Sequence, residues 1–416
     1  MRPQFHFTAD RGWINDPHGI TARDGGYDVF FQYVPNSMVW GPNCHWGHAS
    51  GPDLLSLQHL PVALAPGDGD DGIWTGSLVQ TPHDGARILY TSTVAPDLGQ
   101  GRIREARPDD QEWRSWTKLP SVLASPPKEL DLVAYRDPFV FRDGDFWRMF
   151  VGAGTRDGTA AAIGYTSTDL EQWTYQGVAV QRSTHETDPV WMGALWECPQ
   201  LFEIDGRHVL VTSVWDDDVL HYAGYGIGTF TDGRFVPETW GRLTFGRSYY
   251  APSFFRDAAG RPCLTFWLRG VRDDEEGWSS AHSVPHVLSL AGDRLIAAPH
   301  PDLDRYTHTP LAEGDEIPGH AVDVRWQPDS GDRLTARFGE MTALRIEATD
   351  TLLVVFGAGE PAAMPYRGGS VRILIDGPTA EISTEDGILA TPVSATAARL
   401  TVTADGATPE LRPLLR

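Results

Sequence analysis

A chain of 416 residues is too long for one ordinary compact domain, and its 43 Gly, 31 Pro and 11% aromatic share favour short strands joined by tight turns over long helices. A formal charge of -22 at pH 7 argues against nucleic acid or an anionic membrane surface as partner, because neither finds a basic patch to bind. Cys44, Cys198 and Cys263 are odd in number and far apart, which argues against a disulfide framework. No apolar run approaches the roughly 20 residues of a bilayer span, and the opening MRPQFHFTADRGW lacks the layout of a signal peptide. A cytoplasmic location is expected, or secretion if a leader has been trimmed.

In chain order, the recurring element is a hairpin: an apolar strand, a turn with Asp and usually Gly, and a second apolar strand. The turns fall at Asp24-Gly25, Asp84-Gly85, Asp143-Gly144, Asp205-Gly206 and, in weaker form, Asp257 to Gly260, with aspartates spaced by 60, 59, 62 and 52 residues. Strand-like YDVFFQY, ARILYTS, DFWRMFVG, RHVLVTS and PCLTFWL follow them in order. Two hairpins are continued by an Asp-Leu turn and another strand, in GPDLLSLQHLPVAL and STDLEQWTYQGVAV. Five units of about sixty residues, each with room for four strands, predict a five-bladed β-propeller over 1–290 with one central funnel. The stretch 291–321 is polar and rich in Pro, Gly and Asp, as a linker would be. RLTARF, ALRIEA, TLLVVFG, SVRILIDG and ARLTVTA then alternate with period two, which predicts an antiparallel β-sandwich over 322–416 with a structural role. The fold class is all-β.

One position just before each turn belongs to the innermost strand, and these positions hold Asp16, Ser77, Asp137, Glu197 and Tyr250. In a propeller they converge on the funnel, which brings three carboxylates into one pocket. Like charges at close range raise one another's pKa, so such a cluster is costly as structure and points to function. Asn15-Asp16-Pro17, Arg136-Asp137-Pro138 and Glu197-Cys198-Pro199 each set the acid near a proline that stiffens the strand. Carboxylates in a Trp-lined funnel fit glycoside cleavage, in which one ionised acid faces the anomeric carbon and another delivers a proton. Arg136 beside Asp137 should keep that acid ionised, suited to bind hydroxyls and stabilise developing charge. Glu197, among Leu195, Trp196, Cys198 and Leu201, should keep its proton in low polarity and act as acid/base, which leaves Asp16 as nucleophile.

These residues carry a resemblance to the β-fructosidases of glycoside hydrolase family 32, the invertase, inulinase and levanase family. WINDPHG (Trp13 to Gly19) resembles its nucleophile motif, YRDPFVF (Tyr135 to Phe141) its stabiliser motif and WECPQLF (Trp196 to Phe202) its acid/base motif. FFQY around Gln32, WGPNCHWGHA from Trp40, WTGS from Trp74 and YYAPSFF around Tyr250 are weaker echoes. The resemblance implies a retaining mechanism on terminal fructosyl units of sucrose or fructo-oligosaccharides, with no metal and no cofactor. It implies the same roles for Asp16, Asp137 and Glu197, and a fructose pocket lined by Asn15, Gln32, Trp40, Trp74, Thr75, Arg136 and Tyr250. His18, Trp74-Thr75 and Ser253 depart from the family's usual residues, which bears on pocket shape and leaves the triad intact.

Other features read more plainly. His45 and His48 project to opposite faces of a strand and are expected to be structural rather than metal ligands. Asp68 to Asp71 reads as a solvated loop near the funnel mouth, and Asp216 to Asp218 as surface charge, with substrate contact left open by its position shortly after a strand. Trp191 and Met192 stand before the acid/base strand, where they would wall the leaving-group site or simply be buried. A fructosyltransferase, an inverting hydrolase of the arabinanase and xylosidase kind, and a silent sugar-binding propeller stay open as alternatives. Oligomeric state is not encoded in any of these features.

Overall fold

The computed structural model describes residues 1–81 and 85–416, so the turn expected at Asp84 lies outside the described residues. The described chain is nearly all β, with Pro301–Tyr306 and Pro318–His320 as short 3-10 turns. Three antiparallel four-stranded meanders follow one another through 72–124, 132–183 and 195–242. A nine-stranded sheet joins the strands of 12–64 to those of 249–299. Its junction is the parallel pairing of Gly12 and Trp13 with Trp278 and Ser279.

The first strands of these units are Gly12–Arg23, Gly72–Thr81, Leu132–Asp143, Leu195–Ile204 and Tyr249–Arg256. Each packs against the next and the last against the first, which closes a ring. The turns that end them explain the repeat. Asp24 and Gly25 take φ of 52° and 79°, and Asp205 and Gly206 51° and 77°, the left-handed pair that matches a two-residue hairpin to strand twist. Between neighbouring sheets lie apolar cores, such as Phe150 and Ala162 against Trp196 and Leu210. Burying each large side chain there contributes about 1.5–3 kcal/mol. Gly152 lets two units close: a Cβ there would stand 2.4 Å from the Trp196 carbonyl oxygen, next to Glu197.

Two expectations need correction. Within the expected linker, Arg294–Pro299 is a strand paired with His286–Ala291, and Leu295 and Ala297 join the core beneath it. Polar neighbours hid a short alternating run. Asp70, expected in a solvated loop, is buried and accepts from Arg104 at 2.6 Å and Tyr90 at 3.0 Å, with the Lys118 ammonium 3.2 Å away. Its cations come from neighbouring strands, which the local sequence does not display. His48 meets the Asp28 carboxylate at 2.8 Å and stacks on Phe30, a buried core histidine.

Strands between Ala321 and Pro413 form two further sheets, with Val324, Trp326, Ile346, Val355, Ile373 and Ile382 in the core between them. One of these sheets takes in Thr244–Phe245, which pairs in parallel with Gly387–Pro392. The N-terminal segment completes the junction. His6 sets Nδ1 2.8 Å from Asp376 and Nε2 2.5 Å from Glu381, all three side chains being buried. Burial alone would strip the His6 proton, but hydrogen bonds to Asp376 and Glu381 overcome it and push the pKa up to about 9.

Candidate active site

Each of the five ring strands carries an extra residue in its ladder at the same level. Asn15-Asp16 stand opposite the single Gln32, and Thr75 interrupts the register between Trp74 and Gly76. Asp137-Pro138, Cys198-Pro199 and Ala251-Pro252 make the other bulges. A bulge leaves one residue unpaired and re-aims its neighbours, so a proline there forfeits no ladder hydrogen bond. The residue before each of these prolines is left-handed: φ is 65° at Asp137, 49° at Cys198 and 46° at Ala251. Strained backbone of this kind clusters where side chains must be placed against their preference.

The bulges bring the three acids together. Asp16 accepts from Asn15 Nδ2 at 3.0 Å and from the Thr75 hydroxyl at 2.7 Å. The Cys198 amide donates to Asp137 Oδ2 at 3.0 Å, and the Cys198 thiol lies 3.8 Å from Asp16 Oδ2 and 3.7 Å from Asp137 Oδ2. Glu197 accepts from Arg136 Nη2 at 2.9 Å and from the Tyr250 hydroxyl at 2.6 Å. Asp137 is buried, whereas Asp16 and Glu197 are half-buried. Hydroxyls support the frame: the Asp137 amide donates to Thr91 Oγ1 at 2.8 Å, and Thr91 donates to the Thr75 carbonyl at 2.8 Å.

Two sequence arguments about charge are corrected by this geometry. Arg136 was expected to hold Asp137 ionised, but its guanidinium bonds to Glu197. Burial raises Asp137 to about 7, against the opposing field of Arg136 and with the help of Glu197 and Asp16. Burial likewise raises Asp16, opposed by the Thr75 hydrogen bond and reinforced by Glu197. Glu197 was expected in low polarity, and it instead meets a guanidinium and a phenol. Asp137 opens the bulge with left-handed backbone, which re-aims it relative to Arg136, so adjacency in sequence misidentified the ion pair.

Asn15, Thr75, Arg136 and Tyr250 touch the carboxylates directly. Trp74 packs edge-on to Trp40 with ring centroids 5.7 Å apart, and Trp40, 47% exposed, stands at the mouth. The Arg136 guanidinium lies over the Trp74 ring at 5.8 Å. Gln32 is buried behind the first bulge and donates to the Ile73 carbonyl at 3.0 Å. Ser77, expected in the funnel, accepts from the Val140 amide at 3.1 Å instead, and Thr75 takes its place because the bulge shifts the register. His18 lies against Trp46 at 3.9 Å, and burial holds its pKa well below the ordinary value. Trp191 donates to the Thr184 carbonyl at 3.0 Å and meets His221 edge-on at 4.8 Å.

Two residues near the site carry no sequence signal. Arg269 sits over the Tyr250 ring at 4.8 Å and donates to the Leu220 carbonyl at 2.8 Å, and burial lowers its pKa to about 10. His282 sets Nε2 2.8 Å from the Asn15 carbonyl, and burial lowers it to about 4. Away from the site, Asp257, Cys263 and His300 hold ligand-type atoms within 4.8 Å of one another. Arg261 already donates to Asp257 there, at 2.5 Å.

The chain matches the family described as "Glycosyl hydrolases family 32 N-terminal domain" over residues 6–299. It is 32% identical over 323 residues to a sucrose-6-phosphate hydrolase of Zymomonas mobilis, covering 71% of this chain and 61% of that protein. It is 29% identical to the levanase of Bacillus subtilis, covering 93% of this chain and 65% of the levanase. The chain thus spans less than two thirds of the length of these relatives. In fold it is similar to a β-fructofuranosidase of Bombyx mori, with a TM-score of 0.86 at 23% identity, covering 100% of this chain and 94% of that one.

Proposed function

The chain belongs to glycosyl hydrolase family 32, and from that premise we propose that it is a retaining exo-glycosidase releasing terminal β-D-fructofuranosyl units. Asp16 attacks the anomeric C2 while Glu197 protonates the departing glycosidic oxygen, and a fructosyl-enzyme forms. Glu197 then draws a proton from water, which attacks C2 and frees fructose and Asp16. Asp137 holds ring hydroxyls as positive charge develops, and no cofactor takes part. The observation that carries this reading is the division of partners: Asn15 and Thr75 aim Asp16, while Arg136 and Tyr250 hold Glu197. A nucleophile must be fixed, and an acid/base must be held within reach of the leaving oxygen.

The finer architecture belongs to the same reading. The five units of the ring are five blades around the funnel, forming a catalytic domain over 1–290, followed by a connection over 291–321 and a sandwich over 322–416. Hairpin strand Arg294–Pro299 argues for carrying the catalytic domain on to residue 299. Relatives named for sucrose 6-phosphate and levan, and a fold neighbour solved with 1-kestose, set the range of substrates to compare.

The test is to incubate the purified chain with sucrose, sucrose 6-phosphate, 1-kestose and levan and to quantify free fructose, with Asp16→Asn alongside. From sucrose, equal fructose and glucose, absent in the variant, is the expected result. Glucose in excess of fructose would replace hydrolysis by transfer, and no release from any of the four would overturn the reading.

A further inference from the structure

We propose that Glu381, which stands in the sandwich, is a positioning residue for the catalytic carboxylates of the other domain. It rests on the hydrolase reading above and extends it to a side chain outside the funnel. Glu381 is buried on strand Thr379–Thr384. One carboxylate oxygen meets His6 Nε2 at 2.5 Å and accepts from the Val284 amide at 2.9 Å. The other accepts from the Tyr249 hydroxyl and faces His286 Nε2 at 3.4 Å. Four polar groups from three segments of the catalytic domain thus end on one carboxylate.

Two of those segments lead straight to the site. Tyr249 and Tyr250 are neighbours on one strand and project to opposite faces, so fixing the Tyr249 hydroxyl outside fixes the level of Tyr250 inside. Tyr250 is the residue that donates to Glu197 at 2.6 Å. The second path runs through Val284 to His282, whose ring meets the Asn15 carbonyl at 2.8 Å, and Asn15 donates to Asp16 at 3.0 Å. Ser283 between them accepts from the Phe266 amide at 3.0 Å, directly opposite the Ala251-Pro252 bulge. The nucleophile and the acid/base are therefore both referenced to the same atom pair in the second domain. An apolar side chain could fill the volume but would leave these groups without an acceptor.

The experiment compares kcat, KM and the pH profile of fructose release for the full chain and for Glu381→Gln, Tyr249→Phe and Asp386→Asn. Asp386 forms a separate contact between the domains, with Arg294 at 2.8 Å, and serves as the interface control. Glu381→Gln and Tyr249→Phe are expected to lower kcat by roughly tenfold or more with KM within about twofold, since small misplacements of reacting groups act on the chemical step. Both should also shift the limbs of the pH profile, whereas Asp386→Asn changes only the melting temperature. A wild-type kcat and pH profile in both variants, or a loss that only follows the folded fraction seen by circular dichroism, overturns the proposal. If Glu381→Gln fails to fold, Tyr249→Phe decides alone. Calorimetric titration with fructose separates the two failures. A wild-type chain that neither hydrolyses nor binds overturns the hydrolase reading, whereas one matched by its variants in turnover and binding overturns this one.

Discussion

In the funnel, Asp16, Asp137 and Glu197 lie together, and the hydrogen bonds of the Arg136 guanidinium go to Glu197. At the junction of the domains, Asp376 and Glu381 hold the His6 ring between them. Burial pushes carboxylates upward in both places, yet the outcomes are opposite. Asp137 rises to about 7, opposed by Arg136 without a direct bond and pushed further by its acidic neighbours. Glu381 falls below its ordinary value because hydrogen bonds and charge from His6 outweigh burial. What separates a stabilising buried acid from a poised one is a cation in direct contact, not depth.

That contrast can be attacked from either side. The largest effect is expected at the proposed nucleophile: Asp16→Asn should lower fructose release on the order of ten-thousand-fold, with the fold intact by circular dichroism. Asp137→Asn should lower kcat by about a hundredfold to a thousandfold while raising the melting temperature. Because the folded pKa of Asp137 lies above its unfolded one, stability falls as pH rises from the ordinary carboxylate range through about 7. The gain should therefore be greater at about pH 8 than at about pH 5, as calorimetry would read; a drop in melting temperature would erase the contrast.

His6→Gln works in the other direction. Leaving Asp376 and Glu381 buried without their cation should cost about 3–5 kcal/mol. The stabilisation by His6 is fully present below its unfolded pKa and is lost as pH rises through about 9, so the deficit should shrink between neutral and alkaline pH in denaturant titrations. The smallest effect belongs outside both clusters. Trp191→Ala should change the ratio of rates on sucrose and 1-kestose by several-fold, or about 1 kcal/mol. An unchanged ratio would make Trp191 a wall of its own blade only.

Most of the site was legible in the sequence because its acids recur at fixed distances from hairpin turns, and those turns impose left-handed Asp and Gly residues. Asp16, Asp137 and Glu197, and with them Asn15, Thr75, Arg136 and Tyr250, stand together as the motifs imply. Pairing was less legible. Arg136 follows the strand's alternation towards Glu197, and a single extra residue puts Thr75 where Ser77 was expected. Arg269 has no motif, and it reaches the site because its strand lies beside that of Tyr250. The His6 cluster joins residues 370 or more positions apart, and no local pattern announces such a contact.

The pairing of Gly12 and Trp13 with Trp278 and Ser279, and of His6 with Glu381, has a consequence for synthesis. The segment that carries His6 and Gly12 pairs with residues made some 270 to 375 positions after it. Until residues near 282 and 381 have emerged, the strand that bears Asp16 lacks its outer neighbour, and the His6 ring has no acids to hold it. The three middle meanders can form as the chain is made, since their contacts are local. The ring and its level of carboxylates should be completed only after residue 381 has emerged, so products cut short before it would carry the middle meanders without the assembled acid cluster.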